Sequence, residues 1–85
     1  MFPVKERKME ATIYTVKEAA KSFLAIADEL NEKVTRYING STNKDDESAY
    51  WVVREADKRF IDELNSYYEE SWEYGLNYEL AESFI

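Results

Sequence analysis

Cysteine and histidine are both absent from this chain of 85 residues. Without cysteine it can form neither a disulfide nor a thiolate metal site, which favours an intracellular protein. Without histidine it lacks the commonest general base and the commonest ligand of transition metals. Only carboxylates, tyrosines and hydroxyls remain for chemistry, so we expect no enzyme activity, no metal site and no cofactor.

A long apolar run is also absent. The segment MFPVKERK at the start is positively charged, but no apolar stretch follows it. The sequence therefore predicts neither a signal peptide nor a membrane helix, and a cytoplasmic location is expected. A chain of this length is sufficient for one domain, residues 1–85.

Lysine and arginine are absent from residues 60–85, which hold seven carboxylates. Residues 1–59 contain eleven acidic and eleven basic groups, so the whole net charge of −7 lies in the last 26 residues. A negative field of this kind repels nucleic acid and anionic membranes. It attracts a basic surface on another protein.

Two stretches with apolar residues at alternating spacings of four and three predict long helices. The first covers about 15–39, with Thr15 and Glu18 at capping-box spacing and Gly40 just past its end. The second covers about 46–74. Because a short polar loop joins them, we expect an antiparallel helical hairpin. Its two apolar seams are Val16, Ala20, Phe23, Ala27, Leu30, Val34 and Tyr37, and Ala49, Val53, Ala56, Phe60, Leu64 and Tyr67.

The two ends of the chain add smaller elements. Gly75 predicts a break, after which apolar residues at every fourth position predict a short third helix over about 76–84. Residues 9–14 alternate between apolar and polar types, which fits either a short N-terminal strand or the approach to the first helix. The predicted fold class is therefore all-α, with that strand left open.

The segment YTVKEAAKSF, Tyr14 to Phe23, resembles the opening helix of a small helix-turn-helix family found in excisionases and related phage regulators. The resemblance implies a tight turn containing glycine, followed by a basic helix that reads DNA. In this chain residues 24–30 continue the heptad pattern, and only Lys33 and Arg36 lie near the expected reading helix. We therefore expect no direct binding to nucleic acid.

The acidic residues near the end of the second predicted helix share one face. At 100° per residue, Asp62, Glu69 and Glu73 fall within about 40° of one another, and Glu63 and Glu70 lie beside them. Acid catalysis would require a carboxyl group whose pKa is raised by burial or a close like charge, whereas we expect a solvated strip here. Carboxylates one turn apart are separated by about 5 to 6 Å, so such a strip can imitate a row of phosphates.

A second apolar line on the same helix consists of Tyr50, Ile61, Tyr68 and Trp72. A two-helix hairpin does not need it. We expect the third helix, a second copy of the chain or a partner protein to cover it. Tyrosine and tryptophan beside carboxylates are typical of the residues that dominate protein interfaces.

The leading hypothesis is a small acidic inhibitor that occupies the basic nucleic-acid-binding surface of a partner, such as a nuclease or a defence complex. In size, charge and aromatic content the chain is similar to phage inhibitors of restriction, CRISPR or DNA-repair enzymes, which would place it in the host cytoplasm. The alternative is a homodimeric regulatory or adaptor module that self-associates through Tyr68 and Trp72. The predicted partner-binding residues are Asp62, Glu63, Tyr68, Glu69, Glu70, Trp72, Glu73, Tyr78, Glu79 and Glu82.

Overall fold

The computed structural model describes residues 12–85, and every regular element in that range is helical. This confirms the all-α prediction, including the short C-terminal helix. No helix in the described range is long and apolar enough to cross a membrane. The four helices are α1 (Ile13–Glu29), α2 (Asn31–Ile38), α3 (Lys44–Tyr68) and α4 (Tyr78–Glu82).

Helix α1 begins earlier than the sequence predicted. Thr12 is the cap, and its hydroxyl oxygen accepts the backbone N–H of Thr15 at 3.2 Å while the Thr15 hydroxyl accepts the N–H of Thr12 at 2.9 Å. These bonds satisfy N–H groups that a helix start leaves without partners. Ile13 and Tyr14 are therefore helical, and the strand prediction is wrong for this part. Residues 9–11 of that prediction lie outside the described residues.

The single helix predicted over 15–39 is interrupted at Leu30. Hydrogen bonding nevertheless continues across the interruption. The Leu30 N–H donates to the Ile26 carbonyl at 3.1 Å, and the Leu30 carbonyl accepts the Val34 N–H at 3.0 Å. Helix α2 ends at Ile38, and Gly40 lies just past its end as predicted, where the positive φ of 103° is one that glycine adopts without strain.

The core lies between α1 and α2 on one side and α3 on the other. Phe23 and Phe60 stack at its centre, with ring centroids 6.2 Å apart. Near the loop, Arg36 pairs with Asp46, so residues early in α1 face residues late in α3, as an antiparallel hairpin requires. The buried seam residues are Val16, Ala20, Phe23, Ala27, Val34, Ala49, Val53, Ala56, Phe60 and Leu64, whereas Leu30 and Tyr37 are half-buried and Tyr67 is exposed.

The C-terminal segment packs against the core of the hairpin. Tyr78 stacks on Phe23 with centroids 5.4 Å apart, and Phe84 meets Phe60 edge-on at 6.1 Å. Ile61 is completely buried. Phe84 also lies 6.3 Å from Tyr68, a residue of the second apolar line. The third helix is Tyr78–Glu82, shorter than the predicted 76–84.

The loop between α2 and α3 is fixed by one buried carboxylate. Asp46 accepts hydrogen bonds from Arg36 Nε at 3.2 Å, Arg36 Nη2 at 3.1 Å and Ser41 Oγ at 2.8 Å. The bonds from Arg36, followed by the bond from Ser41, lower the pKa of Asp46 below its ordinary value. Asn43 caps α3 by accepting the Asp45 N–H at 2.7 Å.

Replacing Asp46 should change how stability depends on pH. A carboxylate whose pKa is lower in the folded chain stabilises it above the unfolded pKa of about 3.9, and this contribution disappears as the pH falls through the folded pKa. Asp46→Asn should therefore lower the midpoint of thermal unfolding at neutral pH and flatten its decline below about pH 4. Circular dichroism at a series of pH values measures both effects. Asp45→Asn is the matched control, and a parent-like profile for Asp46→Asn would contradict the assignment.

Candidate protein-binding surface

Helix α3 ends at Tyr68, so the prediction that it continues to residue 74 is wrong. Glu69 adopts the left-handed conformation with φ 56°, and the N–H groups of Glu69 and Glu70 both donate to the Asn65 carbonyl. Continuing the helix would have placed unpaired carboxylates near one another, at the negative end of the helix dipole, with no lysine or arginine to offset them. The chain instead leaves the helix as an irregular segment, residues 69–77, which we call the strap.

Asn65 holds the middle of the strap against α3. The backbone N–H of Trp72 donates to Asn65 Oδ1 at 2.8 Å, and Asn65 Nδ2 donates to the Trp72 carbonyl at 3.0 Å. One side-chain amide therefore satisfies both backbone groups of Trp72. This fixes the backbone from which the tryptophan ring projects.

Asp57 holds the end of the strap. Its side chain is completely buried, and its carboxylate accepts the N–H of Gly75 at 2.8 Å, the N–H of Asn77 at 3.0 Å and Asn77 Nδ2 at 2.8 Å. A buried carboxylate is costly unless hydrogen bonds replace its water. Three donors do so here, and they bring the chain back onto the hairpin where α4 begins.

Asp62 makes a third attachment. It accepts the hydroxyl of Tyr74 at 2.6 Å and lies 3.4 Å from the ammonium group of Lys58. The hydrogen bond to Asp62 is the main reason that the pKa of Tyr74 is raised. The carboxylate that we predicted to bind a partner thus already has two partners within the chain. We call Asp57, Asp62 and Asn65 together the latch.

A group of four aromatic rings, three of them exposed and that of Phe84 half-buried, lies where α3 meets the strap. Tyr68 is 44% exposed and Trp72 is 41% exposed, and their rings meet edge to face with centroids 5.9 Å apart. Tyr67 packs edge-on against Tyr68 at 4.8 Å, and Phe84 lies 6.3 Å from Tyr68 on another side. We call these four residues the aromatic patch.

Unpaired carboxylates accompany this patch. Glu69, Glu70 and Glu73 in the strap are exposed, as are Glu79 and Glu82 on α4. Across residues 12–85 the carboxylates in salt bridges are those of Glu18, Asp46 and Asp62, and none belongs to these five. None of these five carboxylates is therefore in an ion pair with the described part of the chain, and the basic residue that shares a groove with Glu70 and Glu73 is Arg54.

Two predicted residues lie elsewhere. Glu63 is half-buried and lines a shallow groove of about 320 Å³ between α1 and α3, together with Tyr14 and Arg59. Tyr78 is half-buried against Phe23, and burial is the main cause of its raised pKa. The structure brings Tyr68, Glu69, Glu70, Trp72 and Glu73 together. The helical strip predicted to join Asp62 to Glu69 and Glu73 does not exist, because the helix ends before Glu69.

Two latch residues were missed in the sequence. Asp57 lies four residues after Val53 and four before Ile61, so it occupies an apolar face of α3. A charged residue on such a face is a signal for a buried carboxylate with dedicated partners. The sequence around Asn65 does not indicate its role in the same way. Its partner is the backbone of Trp72, seven residues away, and the position of that backbone depends on how the strap folds.

No protein-family model matches the chain, and comparisons with curated proteins and with solved structures find no match either. Within the described residues, no three acidic side chains come together in a way that could hold a metal ion. The geometry and charge of the strap and the aromatic patch are therefore the basis for a functional proposal.

Removing the Asp57 carboxylate should release the strap. Asp57→Ala deletes an acceptor of three N–H bonds, and hydrogen bonds to a charged group contribute about 1.5 to 3 kcal/mol each when made. We expect the free energy of unfolding to fall by about 2 kcal/mol or more, because the freed N–H groups can regain water only by displacing the strap. Compared with the parent, the variant should show faster hydrogen exchange at the amides of Trp72, Gly75 and Asn77. The amides of α1 should be affected less.

The exposed Asp28 provides the control, since Asp28→Ala removes a carboxylate that takes no part in the latch. It should leave exchange in the strap unchanged. Parent-like protection of Gly75 and Asn77 in Asp57→Ala would show that the latch does not hold the strap.

Proposed function

We propose that this protein is an acidic inhibitor that places its strap and aromatic patch on the basic nucleic-acid-binding surface of another protein. The observation that carries the proposal is the position of unpaired Glu69, Glu70 and Glu73 beside the exposed rings of Tyr68 and Trp72. The carboxylates supply a negative field that attracts a surface made for phosphates. The rings supply rigid apolar contact area, which phosphates lack.

The latch supports this function through preorganisation. A loop that becomes ordered only on binding loses conformational entropy at that moment, which weakens the complex. Here Asn65 and Asp57 fix the strap backbone at Trp72, Gly75 and Asn77 before any partner arrives. The acidic residues therefore imitate phosphates from a held segment rather than from a continuous helix.

The partner we propose is a nuclease, a defence complex or another protein with a basic nucleic-acid site. Small acidic phage inhibitors of restriction, CRISPR and DNA-repair enzymes offer an analogy of size, charge and aromatic content. If the chain is encoded by a phage, it would act in the cytoplasm of the host. In this proposal the protein is a binding inhibitor without an enzymatic activity.

The contiguous exposure of Tyr67, Tyr68 and Trp72 favours one other candidate, a homodimer formed through the aromatic patch. Two copies meeting there about a twofold axis would also bring their strap carboxylates close together, and like charges at an interface oppose association. The inhibitor therefore agrees better with the charge of this surface.

Under the dimer proposal, Trp72→Ala should shift the sedimentation mass from dimer to monomer. A parent chain that is monomeric at high micromolar concentration would exclude it.

Neutralising the three strap carboxylates should strongly weaken partner binding. Glu69→Gln, Glu70→Gln and Glu73→Gln together change the net charge from −7 to −4. The protein, immobilised and exposed to a bacterial lysate, should retain a basic protein that duplex DNA displaces and that about 0.5 M salt elutes, because salt screens exposed charges. The triple variant should retain much less of it. Addition of the purified inhibitor should in turn block DNA binding by the captured protein.

A control variant carries the same change of charge elsewhere. Asp28→Asn, Glu29→Gln and Glu32→Gln also bring the net charge to −4, and all three residues are exposed on α1 and α2. This control should retain the partner nearly as well as the parent. If both variants lost the partner equally, net charge alone would explain the loss of binding. If neither DNA nor salt released the partner from the parent protein, the proposal would be refuted.

A further inference from the structure

We propose that the rings of Tyr68 and Trp72 receive an arginine side chain of the partner. This inference rests on the proposed function and specifies the chemistry of the same surface. A guanidinium lies flat on an aromatic face and also pairs with carboxylates, and this site presents both groups. Glu69, Glu70 and Glu73 supply the carboxylates along the strap that carries Trp72.

Two other exposed rings, Trp51 and Tyr74, are covered by cations of the chain itself, whereas the exposed rings of Tyr14 and Tyr67 are not covered by any cation of residues 12–85. Trp51 is 50% exposed, and the guanidinium of Arg54 lies 5.5 Å from its ring centroid. The ammonium group of Lys58 lies 5.3 Å from the ring centroid of Tyr74. Both distances fall within the range of about 6 Å over which a cation is attracted to a ring face.

Tyr68 and Trp72 differ from Trp51 and Tyr74. Each is exposed to a similar extent, but no lysine or arginine among residues 12–85 lies over either ring. Residues 60–85 contain no basic side chain at all. At this pair of rings the described chain leaves open the ring-face position that it fills at Trp51 and Tyr74. Trp72 shares a groove with the carboxylates of Glu70 and Glu73, and the basic residue that lines this groove is Arg54. A cation supplied by a partner fits this ring-face position beside the carboxylates.

Arginine fits this position better than lysine does. Its guanidinium is planar and weakly hydrated, so it can stack on a ring while its N–H groups bond carboxylates in pairs. The ammonium group of lysine is compact and strongly hydrated, and it satisfies the charge without the stacking. The surface should therefore distinguish two partners of equal charge by the identity of their basic residues.

The fixed backbone of Trp72 makes such discrimination feasible. Asn65 bonds both backbone groups of Trp72, and the Trp72 ring meets Tyr68 at an interplanar angle of 76°. The perpendicular rings form a corner whose shape exists before binding. A stacked guanidinium then loses less entropy than it would on a pair of rings still free to reorient.

The test compares two peptides of equal charge, nona-arginine and nona-lysine, bound to the full chain and followed by calorimetry at about 0.05 M salt, where screening is weak. The parent protein should bind nona-arginine about 5- to 10-fold more tightly, as a cation–aromatic contact of about 1 kcal/mol predicts. Trp72→Ala should reduce this preference to less than about 2-fold. Trp72→Phe, which keeps an aromatic face, should preserve part of it.

The matched control is Trp51→Ala, which removes the other tryptophan and should leave the preference intact. Tyr68→Ala is the second test variant, and a circular dichroism spectrum like that of the parent shows that each variant is folded. Equal binding of the two peptides by the parent, or equal loss in Trp51→Ala and Trp72→Ala, would overturn the arginine inference while the proposed function stands. Failure of the parent to bind either peptide would instead count against the proposed function itself.

Discussion

The buried carboxylate of Asp57 is the interaction on which the arrangement of the C-terminal third of this molecule depends. It accepts the N–H groups of Gly75 and Asn77, and so fixes the point at which the chain turns back onto the hairpin. From that point Tyr78 reaches Phe23, and Phe84 reaches Phe60. Because a buried charge without partners is strongly unfavourable, the carboxylate and its donors must assemble together.

The same arrangement explains how an acidic, aromatic segment can be displayed without being helical. An extended α3 would have accumulated like charges at its C-terminal end, where the dipole already disfavours them. The turn at Glu69 ends the helix, and Asn65 and Asp57 compensate by bonding the backbone of the segment that follows. Carboxylates that would oppose a helix become compatible with the fold, and they remain exposed.

The acidic residues of this chain therefore fall into two groups, those that stabilise the fold and those that remain exposed. Asp46 and Asp57 lie inside the molecule and each has several hydrogen-bond donors, so they organise the chain. The side-chain carboxylates of Glu69, Glu70 and Glu73 have no ion pair in the described part. The proposed inhibitor gives these three residues their role, since their field acts on a partner rather than on the fold.

The sequence by itself determined the helical hairpin, most of its buried seams and the placement of the whole charge excess after residue 59, because apolar periodicity and charge are local properties of the chain. It also predicted that a third helix would follow Gly75. Only the tertiary structure decided where α3 ends, which acidic side chains have hydrogen-bond partners within the chain and which stay exposed. Those outcomes depend on bonds between residues 7 to 20 positions apart, such as Asn65 with Trp72 and Asp57 with Asn77. No helical or alternating pattern encodes such pairs, since each forms only after the strap has been brought back against α3.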